Sequence, residues 1–132
     1  MQVFNVIWVF NPSKDKALFC MRHKEPYLGL YNLVGGKIEP NEDGLAAAYR
    51  ELREETGIEA IELQHLMDLT YYMHGSCRVE VYFGTLLTDV EVCGDERELV
   101  WLNLDEDFFA MNRFAGEGNI GHIYEIIKQN VE

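Results

Sequence analysis

Between residues 43 and 56 the apolar residues Leu45, Ala48, Tyr49 and Leu52 recur at i, i+3, i+4 and i+7, with charged or small residues between them. That spacing predicts an amphipathic helix over 43–56, and such a helix is stable only when its apolar stripe lies on a sheet or another helix. Asn41 or Asp43 can cap its start, and Gly57 stands where a left-handed residue would end it. The flanking segments supply a sheet. Residues 2–10 are apolar and β-branched apart from Gln2 and Asn5, 11–15 read as a turn, and 17–21 as a returning strand. A loop through 23–31 leads to the short stretch Asn32-Leu33-Val34 and the pair Gly35-Gly36, and further strand patterns fall at about 60–73, 77–87 and 99–103. A second helix is expected over about 119–130, with Ile120, Ile123, Tyr124, Ile126 and Ile127 as its apolar face. Strands before, between and after helices predict an α/β (α+β) fold, a mixed β-sheet sandwiched between α-helices.

The chain's 132 residues fit one domain, 1–132, without repeats or a Pro/Ser-rich linker. Eleven Lys plus Arg stand against 23 Asp plus Glu, a formal charge of -12. A nucleic-acid polymer would be repelled by that charge, so it is excluded as a partner. Cys20, Cys77 and Cys93 are an odd set without a CxxC spacing and read as buried thiols of a reducing compartment. Residues 1–10 have no basic leader and are broken by polar residues, so they read as a strand rather than a signal peptide or membrane span, and the cytoplasm is the expected location.

Glu51, Glu54 and Glu55 stand at i, i+3 and i+4 on the first helix, sharing a face about a third of the circumference from the apolar stripe. Like charges so placed destabilise a helix unless solvent screens them or a divalent cation binds them. The surroundings favour a cation. From Gly36 the chain runs five residues to Glu42, then seven to Arg50-Glu51-Leu52-Arg53-Glu54-Glu55-Thr56-Gly57-Ile58. Residues 36–58 thus resemble the Nudix box, G-x5-E-x7-R-E-U-x-E-E-x-G-U with U aliphatic, at every specified position. The flanks are similar to the MutT-like branch of the Nudix hydrolase family: a strand hairpin and Gly-Gly-Lys before the box, and an acidic segment ahead of Trp101 after it.

The resemblance implies a Nudix fold and hydrolysis of a nucleoside diphosphate linked to a group X, with Mg2+ (or Mn2+) bridging carboxylates and phosphates. It implies Glu51, Glu54 and Glu55 as metal ligands with the carbonyl of Gly35 or Gly36, and Arg50 holding Glu51 or a neighbouring carboxylate in place. Glu42, at the start of the box, is expected to bind the loop or Arg50. Lys37 resembles the family's phosphate-contacting lysine. For the general base the chain offers Asp95, Glu96 and Glu98 ahead of Trp101, with Glu96 preferred, while Glu54 or Glu55 remain alternatives.

The run Tyr31-Asn32-Leu33-Val34-Gly35-Gly36-Lys37 is similar to the family's W-N-x-x-G-G-K approach, with Tyr31 in place of Trp. Asn32 is then a candidate for the base edge, against a plain turn-forming role, and Asn119 a second candidate, against a helix N-cap. Tyr31, Phe83 and Trp101 are candidates to stack on a base, against burial in the core. No proline falls near 70–76, where ADP-ribose hydrolases of the family tend to carry one. The expected activity is therefore cleavage of a nucleoside triphosphate, such as 8-oxo-dGTP, to a monophosphate and pyrophosphate. A dinucleoside polyphosphate, nucleotide sugar or pterin triphosphate is the alternative substrate, and a non-catalytic nucleotide-binding module the alternative class. Monomer and homodimer are both compatible with the sequence.

Overall fold

The pleat of the first strand sends alternate side chains toward two different helices. In the structure, a computed structural model that describes residues 1–72, 75–92 and 98–130, the elements run β1 (Gln2–Phe10), β2 (Lys16–Met21), β3 (Tyr31–Asn32), α1 (Gly44–Thr56), β4 (Gln64–Tyr71), β5 (Cys77–Thr85), β6 (Glu98–Asn103) and α2 (Asn119–Asn130). Ile7 and Val9 of β1 join Leu18, Cys20 and Tyr82 in a buried cluster with Ala48 and Leu52 of α1. Trp8 and Phe10 join Ala17, Phe19, Val81 and Phe83 in a second cluster with Ile120, Ile123 and Ile127 of α2. The period of two along each strand produces this division, since neighbours in sequence point to opposite faces. Helices cover both faces, as the element order predicts.

The sheet is mixed. β1 pairs in parallel with β5 from Gln2↔Cys77 to Phe10↔Thr85, while β4 pairs with β5 and β6 with β2 in antiparallel fashion. The expected β1–β2 hairpin forms, but it is paired only at Phe10↔Ala17 before the two strands diverge. The segment after β3 fills the gap. Tyr31 and Asn32 pair with Met21 and Cys20 of β2; the chain then crosses to β1, where Ile7 N–H donates to Val34 O at 2.8 Å, Asn5 N–H to Gly36 O at 2.8 Å, and Ile38 N–H to Val3 O at 2.9 Å. The glycine pair is thereby wedged into the sheet directly ahead of α1.

Helix α1 starts at Asp43, whose side chain accepts from Ala46 N–H, and ends at Gly57 with φ 79° and a bond from its N–H to Arg53 O. Asp43 is therefore the cap, and Asn41 instead occupies a left-handed turn position with φ 70°. The apolar stripe is displaced from the expected one: Leu45 is 40% exposed, whereas Ala47 is fully buried beside Ala48 and Leu52. The strand expected at 60–73 begins later, at Gln64, because Ile61 makes only a single bridge to Leu86. That expected at 77–87 ends at Thr85, and the stretch 32–34 is split between β3 and the bridge at Val34. Of the cysteines expected to be buried, Cys20 is buried and Cys77 only half-buried, and Cys93 lies outside the described residues. Among the described residues no helix is long and apolar enough to cross a membrane.

This burial separates two leucines of one helix. Leu52 is fully enclosed between α1 and the sheet, so Leu52→Ala should cost about 2–5 kcal/mol of unfolding free energy in a urea titration. Leu45→Ala should stay within about 0.5 kcal/mol of wild type. Equal losses at the two positions would contradict the observed helix face.

Candidate active site

The face of α1 that carries the acidic residues is organised around one guanidinium. Arg50 donates from Nε to Glu42 Oε2 at 2.6 Å and from Nη2 to Glu42 Oε1 at 2.9 Å, a two-point grip on one carboxylate. Its Nη1 donates to Glu51 Oε1 at 2.9 Å and to Glu54 Oε2 at 3.0 Å, and Nη2 also reaches the Lys37 carbonyl at 3.3 Å. The expected pairing of Arg50 with Glu51 and with Glu42 is thus present. The Arg50 bonds, joined by a bond from Glu39 N–H, hold the Glu42 carboxyl at a pKa of about 2, against an ordinary value of 4.5. The same bond to Glu42 raises the affinity of Arg50 for its proton still further.

The three helix carboxylates have different surroundings. The Glu54 side chain is 54% exposed and that of Glu51 15%, while Glu55 is buried, and its Oε2 accepts from Gly35 N–H at 2.8 Å. Gly36 sits against Glu51: a Cβ there would overlap the Glu51 carboxylate. Gly35 has φ 149°, and a Cβ on it would overlap the Asn5 carbonyl oxygen, so that position requires glycine; at Gly36 a side chain would displace the Glu51 carboxylate. The glycine backbone therefore runs between the carboxylates of Glu51 and Glu55. Asn5, a buried polar residue of β1 whose Oδ1 accepts from Gly36 N–H at 2.9 Å, belongs to this arrangement and was not among the expected site residues. Its signal in the sequence was a polar side chain within an apolar strand.

Among the described residues no three Asp, Glu, His or Cys side chains are already turned together as a metal-binding group. Glu51 and Glu54 point at the guanidinium and Glu55 at Gly35 N–H. The donor set nevertheless suits Mg2+ or Mn2+. Glu51 and Glu54 already converge on a single cationic nitrogen, the groups are hard oxygens, and the missing Cβ of Gly36 leaves backbone close to the Glu51 carboxylate. One guanidinium also faces three carboxylates, Glu42, Glu51 and Glu54, which leaves an excess of negative charge that a divalent ion would offset.

The remaining candidates are dispersed. Asp95 and Glu96 lie outside the described residues. Glu98 opens β6 opposite Met21, its exposed carboxylate 3.7 Å from His23 Nε2. Lys37 lines a cleft of about 410 Å3 with Glu39, Glu42, Arg78 and Glu80, and neither Glu51 nor Glu54 is among its lining residues. Tyr31 is half-buried, with the Arg113 guanidinium 5.3 Å from its ring centre. Asn32 lies in β3 opposite Cys20, and its Oδ1 accepts from Leu33 N–H at 2.8 Å. Asn119 is the first residue of α2 and its amide donates to the Tyr71 hydroxyl. Beside it, Tyr27 donates to Glu117 at 2.7 Å, and burial followed by that carboxylate pushes the Tyr27 pKa up to about 12. Phe83 is a core residue of the α2 face and Trp101 packs against the α1 cluster, so Phe83 is not placed to stack on a ligand.

Known proteins share this architecture. The family described as NUDIX domain matches residues 1–117. The CTP pyrophosphohydrolase of Escherichia coli (strain K12) is 39% identical over 113 residues, covering 80% of each chain. MutT from the fish pathogen Aliivibrio salmonicida and Vibrio cholerae has a similar fold, with TM-score 0.71 at 22% identity, over 97% of this chain and 98% of that one. The NUDIX domain of Shewanella oneidensis NrtR, solved with ADP ribose, superposes with TM-score 0.78 at 16% identity, over 98% of this chain and 88% of that one.

The depressed Glu42 pKa makes the Arg50 grip acid-dependent in a defined direction. Because its folded value lies below its ordinary value of 4.5, Glu42 contributes stability that is fully present above pH 4.5 and is lost as pH falls toward about 2. Thermal unfolding followed across pH should therefore show Glu42→Gln less stable than wild type at pH 6, with the gap closing between pH 4.5 and about 2. A gap independent of pH would contradict the ion pair.

Proposed function

The chain belongs to the NUDIX domain family and is a hydrolase of phosphoanhydride bonds; on that premise we propose that it cleaves a nucleoside triphosphate to a monophosphate and pyrophosphate with the help of Mg2+ or Mn2+. The observation that carries this reading is the convergence of Glu51 and Glu54 on one cationic position beside the Cβ-free backbone of Gly36. Glu51, Glu54 and Glu55 with a glycine carbonyl would hold the ion. When bound, the ion would supply positive charge that offsets the charge developing on the departing pyrophosphate. Arg50 keeps Glu51 and Glu54 aimed at a common point. Lys37 would contribute a further cation to the phosphates, and an acidic residue among Asp95, Glu96 and Glu98, with Glu96 preferred, would take the proton of the attacking water.

The base is the finer question. Asn32 and Asn119 favour a purine such as 8-oxo-dGTP, although the Asn32 oxygen also accepts from Leu33 N–H and the Asn119 nitrogen also donates to the Tyr71 hydroxyl. The 39% identical relative is named for CTP, so a pyrimidine triphosphate has the better support and 8-oxo-dGTP is the competing reading. A nucleotide-binding module without activity is opposed by the presence of every carboxylate of the box. Free nucleotides occupy the cytoplasm, the proposed location.

A chromatographic screen of the nucleotide products formed from CTP, dCTP, 8-oxo-dGTP, a dinucleoside polyphosphate and a nucleotide sugar, with Mg2+ and with Mn2+, tests the proposal. A triphosphate should be the preferred substrate. Glu54→Gln should lower kcat/KM by about 3 kcal/mol or more, beyond 100-fold. Full activity of the variant, or turnover of only the non-triphosphate substrates, would sink this reading.

A further inference from the structure

Asn5, Ile7 and Val9 alternate along β1 with Trp8 and Phe10, and the odd-numbered set faces α1. Asn5 is 1% exposed there. The wedge segment runs antiparallel to β1, with bridges Phe4↔Lys37 and Ile7↔Val34, so Asn5 and Gly36 oppose each other. In a regular ladder such a pair exchanges two backbone bonds. Only one is made here: Asn5 N–H donates to Gly36 O at 2.8 Å, and the return bond from Gly36 N–H goes to Asn5 Oδ1 at 2.9 Å. Gly35, with φ 149°, is packed so tightly on the Asn5 backbone carbonyl that a Cβ would overlap it. This backbone turn is what aims Gly35 N–H at Glu55 Oε2.

We infer that Asn5 is the positioning residue of the metal-binding loop, its side-chain carbonyl replacing its own backbone carbonyl in the ladder so that the Gly35–Gly36 peptide can leave sheet geometry. Without that substitute acceptor the turn would strand a buried N–H, which is costly and would favour relaxation to a regular ladder. The Gly36 carbonyl already accepts from Asn5 N–H, so on this inference the Gly35 carbonyl would be the less engaged of the two toward a cation. The amide orientation is set by chemistry: only the oxygen of Asn5 can face Gly36 N–H, which turns Nδ2 to a buried position with no acceptor among the described residues. Asn5 touches no reacting atom; it acts through the glycine backbone. The inference rests on the metal-dependent reading above.

Two measurements test it. In metal-free protein, an NMR coupling across the hydrogen bond should link the Gly36 amide nitrogen to Asn5 Cγ; a coupling to the Asn5 backbone carbonyl carbon instead would overturn the inference whether or not any variant folds. In a Mn2+ titration followed by electron paramagnetic resonance without substrate, Asn5→Leu, similar in shape but without an acceptor, should bind about 10- to 100-fold more weakly. The control Val9→Ala opens a cavity on the same face of the same strand, and should lower the unfolding midpoint while leaving Mn2+ affinity unchanged. Wild-type affinity in Asn5→Leu, or equal weakening in Val9→Ala, would also overturn it. Failure of the wild type to bind Mn2+ would strike the metal-dependent reading, whereas the coupling would still decide the role of Asn5.

Discussion

The arrangement of the site depends on the charge held by Arg50. A single planar guanidinium grips Glu42 at two points, shares Nη1 between Glu51 and Glu54, and reaches the carbonyl of Lys37. It thereby ties the loop ahead of α1 to the helix and keeps a repulsive set of carboxylates in one place. A lysine ammonium could not make that fork. Carboxylates at helical spacings of three and four repel one another by a few tenths of a kcal/mol per pair without a counter-ion. One cation against three carboxylates moderates the repulsion and leaves negative charge in excess. That imbalance is consistent with a site that takes a divalent ion together with an anionic substrate, and it gives a local purpose to part of the chain's formal charge of -12.

The backbone supplies the second half of the site by a departure from regular pairing. β1 and β2 part after Phe10↔Ala17, and the segment from Tyr31 to Ile38 closes the gap by pairing first with β2 and then with β1. A peptide inside a sheet would ordinarily spend its polar groups on the ladder. Here the turned Gly35–Gly36 backbone directs one N–H to Glu55 and one to Asn5. Rigid strands on both sides hold this irregular stretch, so its position relative to α1 is set by the sheet rather than by a free loop.

What could be read from the sequence was local. The limits of both helices followed from periodicity and from Gly57, and the placement of Glu51, Glu54 and Glu55 on the first helix from the same spacing. Arg50 and Glu42 were legible because their partners lie within the same box. Pairings distant in sequence were not: the parallel β1–β5 register, the wedge between β1 and β2, and the bond from Gly36 to Asn5 span 31 residues or more in the last case and the first. No periodicity carries that information. Leu45 illustrates a smaller failure, since helical spacing identifies a stripe but the tilt of α1 on the sheet decides which edge is covered, and Ala47 was buried in its place. For polar residues, as at Asn32 and Asn119, contacts made in the fold are likewise not legible from residue type. Each has the chemistry to read a base, yet each meets a partner, Leu33 N–H or the Tyr71 hydroxyl, that the residue type alone does not reveal.

The central claim is that the carboxylates of α1 and the glycine backbone form one divalent-cation site. The most direct measurement is a crystal grown with Mn2+ and examined by anomalous scattering at the manganese edge. A peak within direct coordination distance of Glu51, Glu54 and the Gly35 carbonyl is the predicted result. A peak in the cleft between Glu39, Glu42 and Glu80, with the Glu51 and Glu54 carboxylates still turned to Arg50, would contradict it.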